Sequence, residues 1–385
     1  MGDAPRAIGR RNRVAFQPGS VDVAVKILSR VHAQVHVLHV PTGVFRLRVG
    51  GALASPKCAG QESENEGSRR SHDRKSYTVE AHFGIGPIML FLSSRALCLL
   101  SLAACAVPPA SNPVTEAGEA EEIASGFRFV EGPAWRPQEQ ALFFSDIPTA
   151  GLYRWSEEAG VSLVTTGEAR TNGLWIDGEG MLWACEHGGR RVSRGPVGGR
   201  RETVVDSFEG KRFHSPNDLV LSREGVLYFT DPPYGRGDRP AEIDGHHLFA
   251  WNPEKGLRSL WRGGESRRPN GVHLSPEQDR LYLAFSDSGE ILIFPLKGGG
   301  EAGEGRLWAQ TTGRPDGMAV DQAGNVYVAA KAGIEVFDAK GRALGAVPIP
   351  QKPTNCAFGG QDRRWLFVTA GTSLYRVRMP IPGWH

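Results

Sequence analysis

Six polar residues recur at one position of a repeated pattern. In each repeat the polar residue precedes an apolar run, a hairpin rich in Gly, Asp or Pro, and a second apolar run, as in paired β-strands. Successive members of the set are 41, 45, 53, 46 and 39 positions apart, the length of one four-stranded propeller blade. The six residues are Glu131, Asn172, Asn217, Asn270, Asp316 and Asn355.

Four members of this set offer oxygen ligands to a metal ion: Glu131, Asn217, Asn270 and Asp316. Innermost propeller strands line a central channel, so equivalent residues at their starts should converge on one axis. Two carboxylates and two amide oxygens form a hard donor set that suits Ca²⁺, Mg²⁺ or Mn²⁺, with Zn²⁺ less favoured. The alternative is that Asn and Asp open these strands because they favour turns before Gly. Glu131 argues against it, because Glu is a poor turn residue.

The elements that must position these residues are four-stranded blades. Weaker strand pairs follow the core hairpins, for example GLYRWSEEAGVSLV and HHLFAWNPEKGLRSLW. A β-sandwich could use similar strands but would not require the sixfold repeat. The sequence therefore predicts an all-β, six-bladed propeller over residues 124–385. An N-terminal strand, SGFRFV, is expected to pair with the final strand SLYRVRM and close the ring.

The segment before the propeller has a different character. Residues 1–88 show little periodicity and are interpreted as an extension whose start is mis-assigned, with translation beginning at Met89. Residues 89–105 read as a signal peptide, with a short n-region, an apolar run and a small-residue end. The ending LAAC resembles a bacterial lipobox, although an ordinary signal peptide with a coincidental cysteine is the alternative. We expect an exported protein, periplasmic or anchored in the outer membrane through Cys105, with residues 106–123 as a linker.

Composition excludes several classes of protein. The formal net charge is +3 over 385 residues, and residues 1–88 hold 13 Lys and Arg against 7 Asp and Glu, so the remainder is slightly acidic. Without a dense basic face, a nucleic-acid partner is not expected. Five cysteines without a CxxC pair suggest neither a disulfide framework nor a zinc site. The expected partner is a small-molecule substrate, with membrane contact only through a lipid at Cys105.

Several phrases of the propeller resemble one known family. VEGPAW, SPNDLVLSREGVLYFTDPPYG, PNGVHLSP, RPDGMAVDQAGNVYVA and PTNCAFGG are similar to recurring segments of the gluconolactonase family, which includes senescence marker protein (regucalcin). The resemblance implies a sugar lactone opened by metal-activated water. It selects Glu131, Asn270 and Asp316 as direct ligands and Asn217 as a fourth ligand or a holder of bound water. It also implies Asp316 as general base and one divalent metal ion, most often calcium.

Four further residues are predicted to contact substrate: His187, His214, Ser215 and Tyr234. Animal members of the family carry Arg at the position of Ser215, where it contacts sugar lactone. Because this chain has Ser there, the sequence does not decide which lactone or ester is the substrate. Two other readings also stay open. One is a related metal-dependent ester or phosphotriester hydrolase, and the other is a non-catalytic calcium-binding propeller that binds a partner.

Overall fold

The computed structural model describes residues 34–38, 45–50, 77–81, 112–167 and 169–385. The chain divides into two compact units, residues 1–107 and 108–385. In the first unit, three strands form one antiparallel sheet: Gln34–Leu38, Phe45–Gly50 and Tyr77–Ala81. The signal peptide and lipobox predicted at 89–105 lie outside the described residues. Within those residues, no helix has the length and apolar character needed to cross a membrane.

The second unit is a six-bladed β-propeller, which confirms the predicted fold class. Each blade is a four-stranded antiparallel sheet. The strands of the first blade, from the axis outwards, are Val130–Arg136, Ala141–Asp146, Gly151–Ser156 and Gly160–Thr166. Those of the second are Thr171–Ile176, Leu182–Glu186, Arg191–Gly195 and Glu202–Val205. Those of the third are Leu219–Leu221, Leu227–Asp231, His246–Asn252 and Gly256–Gly263.

The remaining blades follow the same order. The fourth consists of Pro269–Leu274, Arg280–Phe285, Glu290–Pro295 and Arg306–Gln310. The fifth consists of Met318–Val320, Val326–Ala330, Gly333–Phe337 and Ala343–Val347. The sixth consists of Pro353–Gly359, Trp365–Ala370, Ser373–Arg378 and Glu121–Ser125. A short hairpin, Ser207–Phe208 with Lys211–Arg212, and a 3₁₀ turn, Pro137–Glu139, complete the described elements.

Burial on both faces explains why some strands have continuous apolar sequences. Second strands such as Ala141–Asp146 and Val326–Ala330 are buried along their whole length, so they read as continuous apolar runs rather than alternating ones. The hairpins are fixed by aspartate side chains. Asp177 Oδ1 accepts the backbone N–H groups of residues 179 and 181, and Asp321 Oδ1 accepts those of residues 323 and 325. The same turn chemistry thus sets the register of two blades.

Neighbouring blades meet along the axis, where the first strands of the six blades contact each other around a full circle. A Cβ atom at Gly271 would lie 2.2 Å from the backbone oxygen of Asp316, and one at Gly173 would lie 2.7 Å from that of Asn217. Neither glycine has a positive φ. Glycine follows Asn270 and Asn172 because there is no space for a side chain. A preference of Asn for turns before Gly therefore does not explain these two positions.

The ring closes with an N-terminal strand, as predicted, but the strand is not the expected one. Glu121–Ser125 pairs antiparallel with Ser373–Arg378, with Ser125 opposite Ser373. Most of SGFRFV instead forms the approach to the first blade, and Val130 begins that blade's inner strand. The closing strand therefore starts inside the segment expected to be a linker. It is largely exposed, and this is why its sequence, EEIAS, carries little apolar signal.

Residues just before the closing strand also pack against the propeller. Asn112 Nδ2 donates to the backbone oxygen of Leu344 at 3.1 Å, and the Gly118 N–H donates to that of Arg378 at 2.8 Å. Val114 and Ala117 lie against the apolar core of the last two blades. From residue 112 onwards, the segment that was expected to be a linker is part of the folded unit.

Candidate active site

The six aligned polar residues lie at the starts of the six inner strands, as the repeat predicted. Five of them are buried, with between 4% and 7% of their surface exposed: Glu131, Asn172, Asn217, Asn270 and Asn355. Asp316 is half-buried. We call these six residues the axial ring.

Amide side chains link three members of the axial ring in series. Asn172 Nδ2 donates to Asn217 Oδ1 at 2.7 Å, and Asn217 Nδ2 donates to Asn270 Oδ1 at 2.6 Å. Asn270 Nδ2 then donates to Ser286 Oγ at 2.8 Å. The bonds fix the orientation of each amide group, so this part of the ring is pre-organised for a ligand.

Three carboxyl groups are buried on or next to the ring. Burial, followed by the negative charge of Asp316, raises the pKa of Glu131 well above its usual range. Burial likewise raises the pKa values of Asp316 and Asp218 to about 7 each. Among the described residues, no Lys, Arg or His side chain forms a salt bridge with any of the three. The positive charges of Lys352 and Arg314 act in the opposite direction on the pKa of Asp316 but do not outweigh burial. Buried carboxyl groups without a paired side chain are stabilised by protons or by a bound cation.

A cavity of about 570 Å³ opens above the axial ring. Five ring members line it: Glu131, Asn172, Asn217, Asn270 and Asp316. All four predicted metal ligands therefore face one cavity. Asn355 does not line it, because its side chain packs against Gly317 and its Oδ1 accepts the Cys356 N–H at 2.8 Å.

Two of the four predicted substrate-contacting residues line this cavity. His187 is buried, with Nε2 3.1 Å from Asn172 Nδ2 and 3.4 Å from Asn217 Oδ1. Burial lowers the pKa of His187 to about 4, so its ring is neutral at physiological pH. Tyr234 lines the cavity wall beside Ser286, and burial raises the pKa of its hydroxyl to about 12.

His214 and Ser215 do not line the cavity. The His214 ring contacts the backbone oxygen of Gly245 at 2.9 Å and packs against His246. Ser215 is fully buried; its hydroxyl donates to the Pro232 oxygen at 2.6 Å and accepts the Gly235 N–H at 2.9 Å. The two residues thus support the loop that follows Asp231. Substrate contact by their side chains is not supported by this geometry.

Asp231 fixes the chain segment that leads to Asn217. Its two carboxylate oxygens accept the N–H groups of His214 at 2.8 Å and Ser215 at 2.7 Å. Burial raises the pKa of Asp231 to about 7. These bonds hold the chain segment that carries Asn217 into the axial ring, so Asp231 is a positioning residue.

Sequence reasoning missed the cationic residues of the cavity wall. The wall includes Arg170, Arg236, Arg239, Arg314 and Lys352. They lie in irregular loops between strands, outside the repeated positions, so no periodic signal marked them. The Asp218 carboxyl was also missed. It directly follows a ring residue at a position where four of the other five repeats have Gly, and that departure from the repeat was the available signal.

The residues present fit a divalent cation. Glu131 and Asp316 provide charge, and Asn217 and Asn270 provide amide oxygens. Asn172 Oδ1 is a buried oxygen that has no hydrogen-bond partner within the described residues. Hard cations prefer such oxygen ligands. Among the described residues, no three His, Cys, Asp or Glu side chains form a metal-binding cluster, so a site here would depend on the Asn amides.

Fold and site together define a propeller with a polar site at one mouth of its axis. The model of the SMP-30/gluconolactonase/LRE-like region matches residues 129–372. The chain belongs to that family. The match spans every residue of the axial ring.

Individual relatives agree with this assignment. A gluconolactonase from Zymomonas mobilis is 35% identical, over 67% of this chain and 80% of the relative. A pentonolactonase from Haloferax volcanii is 31% identical, over 63% of this chain and 81% of the relative. Among solved structures, a gluconolactonase from Xanthomonas campestris has a TM-score of 0.65 and 31% identity, covering 70% of this chain and 91% of that one.

Proposed function

We propose that this chain is a metal-dependent lactone hydrolase acting on sugar lactones. The observation that carries the proposal is the convergence of Glu131, Asn217, Asn270 and Asp316 on one cavity, with no cationic side chain paired to either carboxylate in the described part of the chain. The gluconolactonase and pentonolactonase relatives support a sugar lactone as the substrate class.

The four ring residues would hold one divalent cation, with calcium favoured by the all-oxygen donor set. Asn172 lies beside them, and its Oδ1, which accepts no hydrogen bond in the described part of the chain, would hold a bound water. When bound, such a cation polarises a carbonyl group and stabilises negative charge that develops on its oxygen.

The chain's own residues would perform the proton transfers. Asp316 is the least buried member of the ring and lines the cavity, so it is placed to accept the proton of a water molecule that attacks the lactone carbonyl carbon. The C–O bond of the lactone ring then breaks, and the departing alkoxide takes up the proton held by Asp316 to give the hydroxy acid. His187 and Tyr234 flank the cavity and would orient the sugar hydroxyls, His187 as a neutral ring.

Hydrolysis of glucono-δ-lactone by the full chain, followed by acid release, tests this proposal. We expect turnover that chelator abolishes and calcium or another divalent cation restores. Asp316→Asn should lower kcat by roughly 10²- to 10⁴-fold, whereas Asp244→Asn, at an exposed aspartate outside the cavity, should leave it unchanged. Faster turnover of aryl esters or phosphotriesters would favour the related hydrolase class. No turnover of any ester with cation bound would favour a non-catalytic binding propeller.

We further propose, from residues 89–105 alone, that the protein is exported and lipidated at Cys105. Radiolabelled palmitate fed to a bacterial host should appear in the wild-type chain and be lost in Cys105→Ser. Labelling of both forms, or of neither, would contradict the proposal.

A further inference from the structure

The cavity above the axial ring has an acidic floor and a cationic wall. The only carboxylates among its lining residues are Glu131 and Asp316, and both belong to the ring. The cationic lining residues all come from loops between strands: Arg170, Arg236, Arg239, Arg314 and Lys352. A cation on the floor would neutralise the two carboxylates and leave the wall strongly positive.

Most of this wall has no acidic partner in the described part of the chain. Arg314 Nη2 lies 3.3 Å from Asp287 Oδ1, and the same carboxylate also forms a salt bridge with Arg268. The other four cations form no salt bridge within the described residues. The Arg236 guanidinium donates no hydrogen bond there either, and its Nε is buried without an acceptor. An arginine has five N–H donors, so this is a large unused binding capacity.

The loop that carries Arg236 and Arg239 is held in place rather than free at the surface. Arg239 Nη2 donates to the backbone oxygens of Gly235 at 2.8 Å and His187 at 3.2 Å. Ser215 fixes the start of the same loop through Pro232 and Gly235. The two guanidinium groups are therefore presented to the cavity by a defined backbone.

Placing several guanidinium groups close together is unfavourable, because their positive charges repel one another. Burial, followed by the positive charges of Arg190, Arg170, Arg212 and Arg236, lowers the pKa of Arg239. Arg190 is offset by its ion pair with Glu242, but Arg170 and Arg236 have no such partner among the described residues. Like charges kept together beside a binding cavity indicate that an anion offsets them when it binds.

We propose that the cationic wall binds an anionic substituent of the substrate. The preferred substrates would be lactones of sugar acids that carry a phosphate, sulfonate or carboxylate away from the lactone carbonyl. The carbonyl would face Asp316 on the floor while the anion meets Arg236 and Arg239. Guanidinium groups match the oxygens of such anions in paired hydrogen bonds. This inference rests on the proposed lactone hydrolysis, because it names the substrate class of the same site.

The test compares kcat/KM of the full chain on neutral glucono-δ-lactone, on 6-phosphoglucono-δ-lactone and on glucaro-1,4-lactone, at two ionic strengths. We expect at least tenfold preference for an anionic lactone, decreasing as salt rises. Arg236→Gln should reduce that preference tenfold or more, and Arg236→Lys should restore part of it. Arg262→Gln, on the outer strand of the same blade and outside the cavity, is the matched control. Thermal unfolding confirms that each variant is folded.

Equal kcat/KM on neutral and anionic lactones, or an equal loss on both in Arg236→Gln, would overturn the inference. If no lactone is opened, the lactonase proposal fails, and calorimetric binding of 6-phosphogluconate against gluconate decides separately about the wall. Tighter binding of the phosphorylated acid, weakened in Arg236→Gln, would still support an anion site. Equal or absent binding of the two acids would remove it.

Discussion

The carboxylate of Asp316 raises the pKa of Glu131, although Glu131 lies in the inner strand of the first blade and Asp316 lies two residues before the inner strand of the fifth. In a folded protein, two buried acids so placed either share protons or share a cation. The competition between proton and cation gives the site a measurable effect on stability.

The stability of the cation-free protein should depend on pH with a defined sign. Glu131, Asp316 and Asp218 have raised pKa values when folded, about 7 for the two aspartates, against about 4 when unfolded. Between these values the folded state holds protons that the unfolded state has released. Stability is therefore greatest below about pH 4 for these groups and is lost as the pH rises through 7. In chelator, the Tm should fall between pH 5 and pH 8.

Calcium should oppose this loss, because it binds the ionised carboxylates. The gain in Tm on adding calcium should be larger at pH 8 than at pH 5. The double variant Glu131→Gln with Asp316→Asn should reduce the pH dependence to the part that Asp218 contributes and abolish the calcium effect. A Tm in chelator that rises steadily from pH 5 to pH 8 would show that these acids are ionised without a metal.

Individual ring residues should differ in their effect on cation affinity. Asn217→Ala and Asn270→Ala remove cavity-lining amide oxygens and should weaken calcium binding by at least roughly tenfold. Asn355→Ala alters a ring residue that does not line the cavity, so affinity should stay within about threefold. Calorimetric titration of the three variants measures the difference. Equal weakening by all three would mean that the ring acts only through its packing.

Gly271→Ala should destabilise the propeller strongly, because the new methyl group would meet the backbone oxygen of Asp316 at 2.2 Å. Overpacking of this kind costs about 1–3 kcal/mol or more, and here it also displaces a proposed ligand. Gly264→Ala is the control, since that Cβ would point into open space and its φ is not positive. Chemical unfolding compares the two, and similar stabilities would argue against close contact at the axis.

His187→Gln should preserve the pH dependence of activity from pH 6 to pH 8, because burial keeps the pKa of His187 near 4. Gln can still hydrogen-bond to Asn172 and Asn217, whereas His187→Leu cannot. We therefore expect the Leu variant to lose more activity than the Gln variant. If the pH–activity curve of the wild type has an inflection near pH 6.5 that His187→Gln lacks, His187 titrates in this range and the prediction is wrong.

Removal of residues 1–125 should lower the Tm sharply, since it deletes the outer strand of the sixth blade and exposes the edge at Ser373–Arg378. Removal of residues 1–111 leaves that strand and its packing residues in place and is the matched control. Thermal unfolding of both truncated chains measures the difference. Equal Tm values would show that closure contributes nothing.

The sequence was most informative where the repeat constrains both packing and chemistry. The axial ring could be located because each member opens a buried strand, so polar residue and apolar run recur together. The closing strand was misplaced because EEIAS lies on the exposed side of its blade and SGFRFV has more aromatic character. The roles of His214 and Ser215 could not be read from their neighbour Asn217, since adjacent residues in a loop point in different directions. Arg236 belongs to no repeat at all.

The sixth blade unites residues 121–125 with residues 353–378, and this has a consequence for biosynthesis. A ribosome must complete nearly the whole chain before the first strand of the folded unit finds its neighbour. Contacts of such high sequence separation slow folding. The proposed ligands are spread over the first, third, fourth and fifth blades, so a nascent chain cannot hold the cation in its final coordination until late in synthesis. Cation capture and ring closure should then occur together, after the polypeptide has left the ribosome.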